Sequence, residues 1–167
     1  VKLATEAETI FASQQLKAKT CSAQIVRAKA LLSGGESAQE LCEAILQTCL
    51  ELESPWLRYQ AHELLGDNSL AAGDVRQSYE HYTQAVSFIE QIRCQIRVDE
   101  FRSAFFKDKL RVYEKLIRLC LNQDDEQRQA EAFYYLESSK ARTLVDLLVN
   151  ELEMMPSPEG QIGRAHV

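Results

Sequence analysis

The sequence predicts an all-α protein built as a solenoid of antiparallel helix hairpins. Apolar residues recur at intervals of three and four along most of the chain, which is the spacing of one helix face. No segment alternates apolar and polar residues like a half-buried strand, and no Asn-Gly or Asp-Gly hairpin signal occurs. Six glycines and three prolines are also few for a turn-rich β protein of 167 residues.

The first three helices are predicted from apolar spacing and from the residues at their ends. A first helix is expected over residues 3 to 16 and a second over 22 to 32, ending at Gly34-Gly35. Ser37 has a glutamate three residues after it, which is the pattern of a capping box. It therefore predicts the start of a third helix, which continues to about Leu52.

Four more helices are predicted in two pairs. The first pair covers residues 56 to 72 and 74 to 92, with Asp74 as the N-cap of its second helix. The second pair covers 99 to 121, the clearest amphipathic stretch, and about 126 to 152. Short turns between such helices imply antiparallel neighbours.

Residues 153–167 are set apart from the helical-repeat domain, which we place at 1–152. Pro156 and Pro158 begin a linker, and Gln161 to Val167 resembles the translation of a DNA-sequencing adapter; the alternative is a disordered natural tail. Because the chain opens at Val1 without Met, we expect a fragment of a longer protein that lacks its upstream repeats. If the tail is adapter-derived, we expect the downstream domain to be missing as well.

Charge and cysteine usage restrict the class of partner and the compartment. The net charge is −6, and the basic residues are dispersed among acidic ones, so we expect no nucleic-acid partner. No apolar run reaches the length of a membrane span, and we expect no membrane association. The cysteines are odd in number and lack a C-x-x-C spacing, which predicts reduced core thiols in a cytoplasmic protein: Cys21, Cys42, Cys49, Cys94 and Cys120.

The sequence predicts no catalytic, cofactor-binding or metal site. Cys42 and Cys49 are seven apart on one predicted helix face, and we interpret them as two small core residues. His62 and His81 lie on successive helices without a ligand pattern between them, which favours ordinary core or surface roles. The acidic run at 124–126 lacks the spacing of a calcium loop.

The stretch from Tyr59 to Ile92 resembles a tetratricopeptide unit of roughly 34 residues. Leu65-Gly66 stands in its first helix, Gly73-Asp74 at its turn, and Tyr82 and Ala85 in its second helix. The resemblance implies that Gly66 and Ala85 let the two helices approach closely, while Tyr82 fills the groove between units.

A weaker unit of the same kind covers residues about 22–53, with Ala28 as its small first-helix residue and Gly35 at its turn. The resemblance implies a right-handed stack of helix pairs. The better unit departs from the family pattern at His62, Ser69, Ser78 and Glu90.

The region from Val98 to Leu148 resembles the helical segment that precedes the catalytic part of CHAT-domain proteins, in which tetratricopeptide repeats come before a caspase-like fold. The likeness lies in two runs, FRSAFFKDKLRVYEKLIRLCL and AEAFYYLESSKARTLVDLL. The residues that carry it are Phe101, Arg102, Phe105, Tyr113, Leu116, Ala132, Phe133, Leu136, Glu137, Lys140, Ala141, Arg142, Leu144 and Leu147.

These resemblances imply a protein–protein interaction scaffold, the N-terminal regulatory or recognition arm of a bacterial CHAT-type peptidase. The family's catalytic His and Cys belong to the later domain, so we expect this chain not to be an enzyme. The alternatives are the repeat arm of a transcriptional or signalling regulator and, least favoured, an enzyme with a deep polar pocket of its own. If the chain is the arm of a CHAT-type protein, Lys140 and Arg142 are candidates for docking the following domain. The alternative interpretation is structural, and in it both residues pair with acidic neighbours on their own helix.

Repeat analogy places a peptide groove along the helix that begins at Trp56. Glu63 and Asp67 are acidic, so we expect the groove to repel a free carboxylate and not to bind a peptide's C-terminal tail. Its candidate lining residues are Trp56, Tyr59, Gln60, Glu63, Asp67 and Leu70.

Overall fold

The computed structural model describes the backbone of residues 1–96 and 99–153 and the side chains of residues 1–96 and 109–139. These residues form helices and no strand, which confirms the predicted all-α class. In chain order the helices are α1 (Lys2–Ser13), α2 (Lys17–Ser33), α3 (Gln39–Glu51), α4 (Pro55–Ala71), α5 (Val75–Gln95), α6 (Asp99–Leu121) and α7 (Glu126–Glu153). The predicted linker and tail beyond residue 153 lie outside the described residues.

The helices pack in sequence order, each against the next, as in a hairpin solenoid. The α4–α5 interface is the most extensive, and α2 also contacts α4 directly. Two hydrophobic clusters form the core: one joins α2, α3 and α4, and the other joins α4, α5, α6 and α7. Because α4 belongs to both clusters, it connects the two halves of the stack.

The glycines in the turns predict the observed helix ends better than the spacing of apolar residues does. Gly35 and Gly73 take φ values of +79° and +83°, the left-handed conformation that glycine adopts without strain. Both glycines thus end helices where the sequence predicts. The start of α2 differs, since it begins at Lys17 and not at residue 22.

The predicted capping role of Ser37 is wrong. The residue preceding α3 is Ala38, and its backbone N–H donates 3.0 Å to Oδ1 of Asn68, a side chain of α4. Ser37 itself donates a long hydrogen bond of 3.5 Å to the same oxygen. Asn68 is buried where α4 meets the start of α3, so the orphan N–H is satisfied across the fold instead of locally.

Side chains next to the helix start cap three other helices, and the predicted role of Asp74 is confirmed. Asp74 accepts a 2.9 Å hydrogen bond from the N–H of Gln77, and Asp125 accepts one of 3.0 Å from Gln127. Ser54 caps α4, with Pro55 in the first turn, where its missing N–H costs nothing.

The close approach of α4 and α5 at Gly66 is also confirmed. A Cβ on Gly66 would lie 2.5 Å from the ring of Tyr82, so only glycine fits. Ala85 is fully buried in the adjoining core. Ser78 stands where the repeat family has alanine, and its hydroxyl donates 2.9 Å to the carbonyl of Gly66. Tyr82 therefore fills space inside the hairpin, and it also belongs to the hydrophobic cluster that includes residues of α6 and α7.

Not every apolar residue of the helical pattern is in the core. Phe133 and Tyr134 on α7 are each 66% exposed, while Ala132 beside them is buried. Helix α1 has no buried residue. In the part of the chain that the structure describes, no helix is both long and apolar enough to cross a membrane.

Candidate peptide-binding groove

The even-numbered helices α2, α4 and α6 line one groove of about 610 Å³, a volume within the usual range of ligand sites. We call it the A-groove. Its described lining residues are Lys29, Leu32, Ser33, Tyr59, Glu63, Asp67, Ala71, Lys109, Arg111, Val112 and Lys115.

The structure brings three of the six predicted groove residues together. Tyr59, Glu63 and Asp67 are spaced by four along α4, which places them on one helix face toward α2 and α6. Gln60 and Leu70 are not among the described lining residues. Trp56 also does not line the A-groove itself, but it stands at one end of it.

A lysine from α6 holds the two carboxylates. The Nζ atom of Lys115 lies 2.7 Å from Glu63 and 2.8 Å from Asp67. Lys29 of α2 lies 3.9 Å from the other oxygen of Glu63. The Glu63 side chain is only 11% exposed, so its charge needs these partners. Sequence reasoning missed Lys115, since it is about 50 residues away from the carboxylates that it joins.

Tyr82 completes this cluster from α5. Its phenol donates a 2.7 Å hydrogen bond to Asp67. Burial and the neighbouring Asp67 carboxylate raise the pKa of Tyr82 well above its ordinary value, so the phenol keeps its proton at neutral pH.

A second lysine of α6 sits against the aromatic end of α4. Lys109 is 7% exposed, and its Nζ lies 4.9 Å from the Trp56 ring centroid and 5.5 Å from that of Tyr59. The two rings meet edge to face at 5.5 Å. Such cation–π contacts stabilise a charge where water is scarce.

The charge of the A-groove differs from the sequence-based expectation. Its described lining carries four basic side chains and two carboxylates, and both carboxylates are bound to Lys115. Glu63 and Asp67 therefore do not make the A-groove acidic, and the expectation that it repels a free carboxylate stays a prediction. The basic excess arises because α6 contributes Lys109, Arg111 and Lys115 to the same space.

Away from the A-groove, His62 of α4 and His81 of α5 face each other, with their Nδ1 atoms 3.3 Å apart. The His62 ring also stacks on Phe88, with centroids 5.6 Å apart. Burial, with smaller contributions from His81 and Arg58, lowers the pKa of His62 to about 4. Burial lowers the pKa of His81 as well. The contact between His62 and His81 was not predicted from the sequence, because no sequence motif indicates a contact between side chains of two different helices.

Cys21 and Cys49 form the thiol contact of the core, with Sγ atoms 3.5 Å apart. The sequence instead suggests proximity of Cys42 and Cys49. Cys42 is buried in the same cluster, and burial raises the pKa of its thiol to about 11. All five cysteines are free, but Cys94 is exposed, so the expectation of core thiols is wrong for that residue.

No group of three or more His, Cys, Asp or Glu side chains suited to a metal ion occurs among the described residues. The side chains of Lys140 and Arg142, the candidate docking residues, lie outside them, as do those of Phe101, Arg102 and Phe105.

The fold and the A-groove place the chain among all-α helix-hairpin solenoids. Compared with protein-family models, curated proteins and solved structures, the chain gives no significant match.

Proposed function

We propose that this chain is a protein–protein interaction scaffold that binds a peptide segment of a partner in the A-groove. The observation that carries the proposal is the shared groove of α2, α4 and α6. In a tetratricopeptide stack, every second helix lines the inner, concave face of the stack. A peptide bound on that face contacts several repeat units at once.

The side chains of the A-groove suit a peptide better than a small substrate. Lys115, Glu63 and Asp67 hold one another in fixed positions, which lowers the entropy lost when a ligand binds. Lys29 has a side chain that is about half exposed, and Arg111 is exposed, so both can meet acidic groups of a partner. Leu32 and Ala71 supply apolar contact area between these charges.

We further propose that the scaffold is the recognition arm of a CHAT-type peptidase, docked to a following domain through α7. The supporting feature is the pair of exposed aromatic residues Phe133 and Tyr134, on the helix that also carries Lys140 and Arg142. Large exposed aromatic side chains near each other are typical of contact surfaces.

Selection from a random-peptide display library tests the binding proposal. Peptides that bind the wild-type chain would be measured by fluorescence anisotropy against Ser33→Trp, in which a bulky ring enters the A-groove from α2. We expect this variant to lose roughly tenfold or more in affinity. Ser87→Trp, at an exposed position of α5 away from the A-groove, is the matched control and should bind like wild type.

Equal binding by the Ser33 and Ser87 variants would contradict the groove assignment. The CHAT assignment has its own test, which is the reading frame of the natural gene beyond codon 159. A caspase-like α/β domain with a His and Cys pair supports it. A DNA-binding module there would instead support the regulator and leave only the scaffold role.

A further inference from the structure

Two imidazole rings meet across the α4–α5 hairpin, on residues that the A-groove does not use. The Nδ1 atoms of His62 and His81 are 3.3 Å apart, and the ring centroids are 5.5 Å apart. The hydrogen bond between them requires one ring to carry its proton on Nδ1 and the other on Nε2. We propose that this pair is a binding site for a divalent transition-metal ion of the Zn²⁺, Ni²⁺ or Co²⁺ type.

The separation of the two nitrogens fits such an ion. Nitrogen ligands bind Zn²⁺ at about 2.0–2.1 Å, and two of them on a tetrahedral ion lie about 3.3–3.4 Å apart. The observed 3.3 Å matches that span. For both Nδ1 atoms to bind an ion, the proton of the donor ring must move through solvent from Nδ1 to Nε2 of the same ring. The two rings then turn slightly, and the helices do not move.

The rings are held before any ion arrives. His62 stacks on Phe88 at an interplanar angle of 18°, and His81 projects from the helix that packs most extensively against α4. A site whose ligands are already ordered loses little entropy when it binds. Bridging two helices of one hairpin would also stabilise the folded chain, because the unfolded chain does not hold the ligands together.

The protonation state is also suitable. Metal ligands must be neutral imidazoles, and burial keeps both rings deprotonated at neutral pH. Two charged groups face the pair: Arg58 on α4 and Glu80 on α5. The charge of Arg58 opposes a cation and weakens its binding, although hydrogen bonds of 3.4 Å to the carbonyl oxygens of Cys49 and Leu50 hold the guanidinium in place.

The coordination sphere is open. No third protein ligand accompanies the two histidines in the described part of the chain, so water must complete the shell. Both rings are partly exposed, which gives water and ion access. An open two-nitrogen site follows the usual order of divalent ions, so Ni²⁺ should bind more tightly than Co²⁺. The inference is independent of the proposed A-groove function.

The experiment is a titration of the reduced full chain with Co²⁺ and with Ni²⁺, followed by visible absorption and by the melting temperature. We expect Co²⁺ bands without the charge-transfer band of thiolate ligands, and a melting temperature that rises with metal concentration. His62→Gln and His81→Gln should each weaken binding by roughly tenfold or more, since even outer-shell changes cost about that much. His166→Gln, which removes the remaining histidine, is the control and should not change binding.

The outcomes separate the proposal from its rivals. A thiolate charge-transfer band, or undiminished binding by His62→Gln, would assign the metal to other residues and overturn it. Loss of binding only in His166→Gln would do the same. Circular dichroism shows whether each variant is folded, and in the wild-type chain NMR shifts of both imidazole rings on adding Zn²⁺ give a measurement that needs no variant.

Discussion

Tyr82 donates a hydrogen bond of 2.7 Å to Asp67, while its ring packs over the Cα of Gly66 in the same hairpin. The Lys115 ammonium lies 5.9 Å from that ring. One side chain of α5 thus joins the close packing of α4 and α5 to the ion cluster of the A-groove. Changes at the hairpin contact should therefore affect both stability and the groove.

Replacement of Gly66 by alanine should destabilise the protein by roughly 1–3 kcal/mol, because the added Cβ would lie 2.5 Å from the Tyr82 ring. Helix propensity alone predicts the opposite sign, a gain of about 0.5–1 kcal/mol for Gly→Ala in a helix. Urea unfolding measures the difference. In a Tyr82→Ala background the same change should become neutral or stabilising, and an equal loss in both backgrounds would contradict the steric reason.

Replacement of Lys115 by methionine should cost about 1–3 kcal/mol, because it leaves the mostly buried carboxylate of Glu63 and the partly buried one of Asp67 without this partner. Arg76→Met is the matched control, since the Arg76–Glu80 pair has side chains that are 88% and 58% exposed. Exposed pairs of this kind contribute little. Equal losses of unfolding free energy in the two variants would show that the cluster is not important for stability.

Stability should fall as the pH is lowered from about 6.5 toward 4. The unfolded His62 side chain binds a proton in that window, whereas the folded one, with its pKa lowered to about 4, does not. The unfolded state therefore binds more protons, and acid favours it. Urea midpoints across this pH range should show a shallower slope for His62→Gln than for wild type. His166→Gln is the control and should leave the slope unchanged. If His62→Gln also left the slope unchanged, His62 would not contribute to the pH dependence of stability.

Thiol reactivity should distinguish Cys94 from the four buried cysteines. A water-soluble maleimide should label Cys94 rapidly in the folded protein, since it is exposed, and the other four only after denaturation. Peptide mapping by mass spectrometry identifies the labelled sites. Cys94→Ser should abolish fast labelling, and rapid labelling of Cys21 or Cys49 in that variant would contradict their burial.

Several contacts could not be predicted from sequence because they join distant segments. Local rules succeed at Asp74 and at Gly73, where the cap and the turn involve neighbouring residues. They fail at Ser37, since α3 starts one residue later, after Ala38, whose N–H donates to Asn68 of another helix. The interpretation of Cys42 and Cys49 as core residues is confirmed, since both are fully buried. The contact of Cys49 with Cys21 could not be predicted, because Cys21 comes from a different helix.

The sequence by itself determined the helices and their order, because apolar spacing and turn residues act over a few positions along the chain. It also indicated α4 as the helix that lines a groove, through Tyr59, Glu63 and Asp67. Only the tertiary structure decided the charge of that groove and the pairing of His62 with His81. The groove charge and the histidine pair both depend on which helices become neighbours. Helix packing decides this, and the distance between residues along the sequence does not.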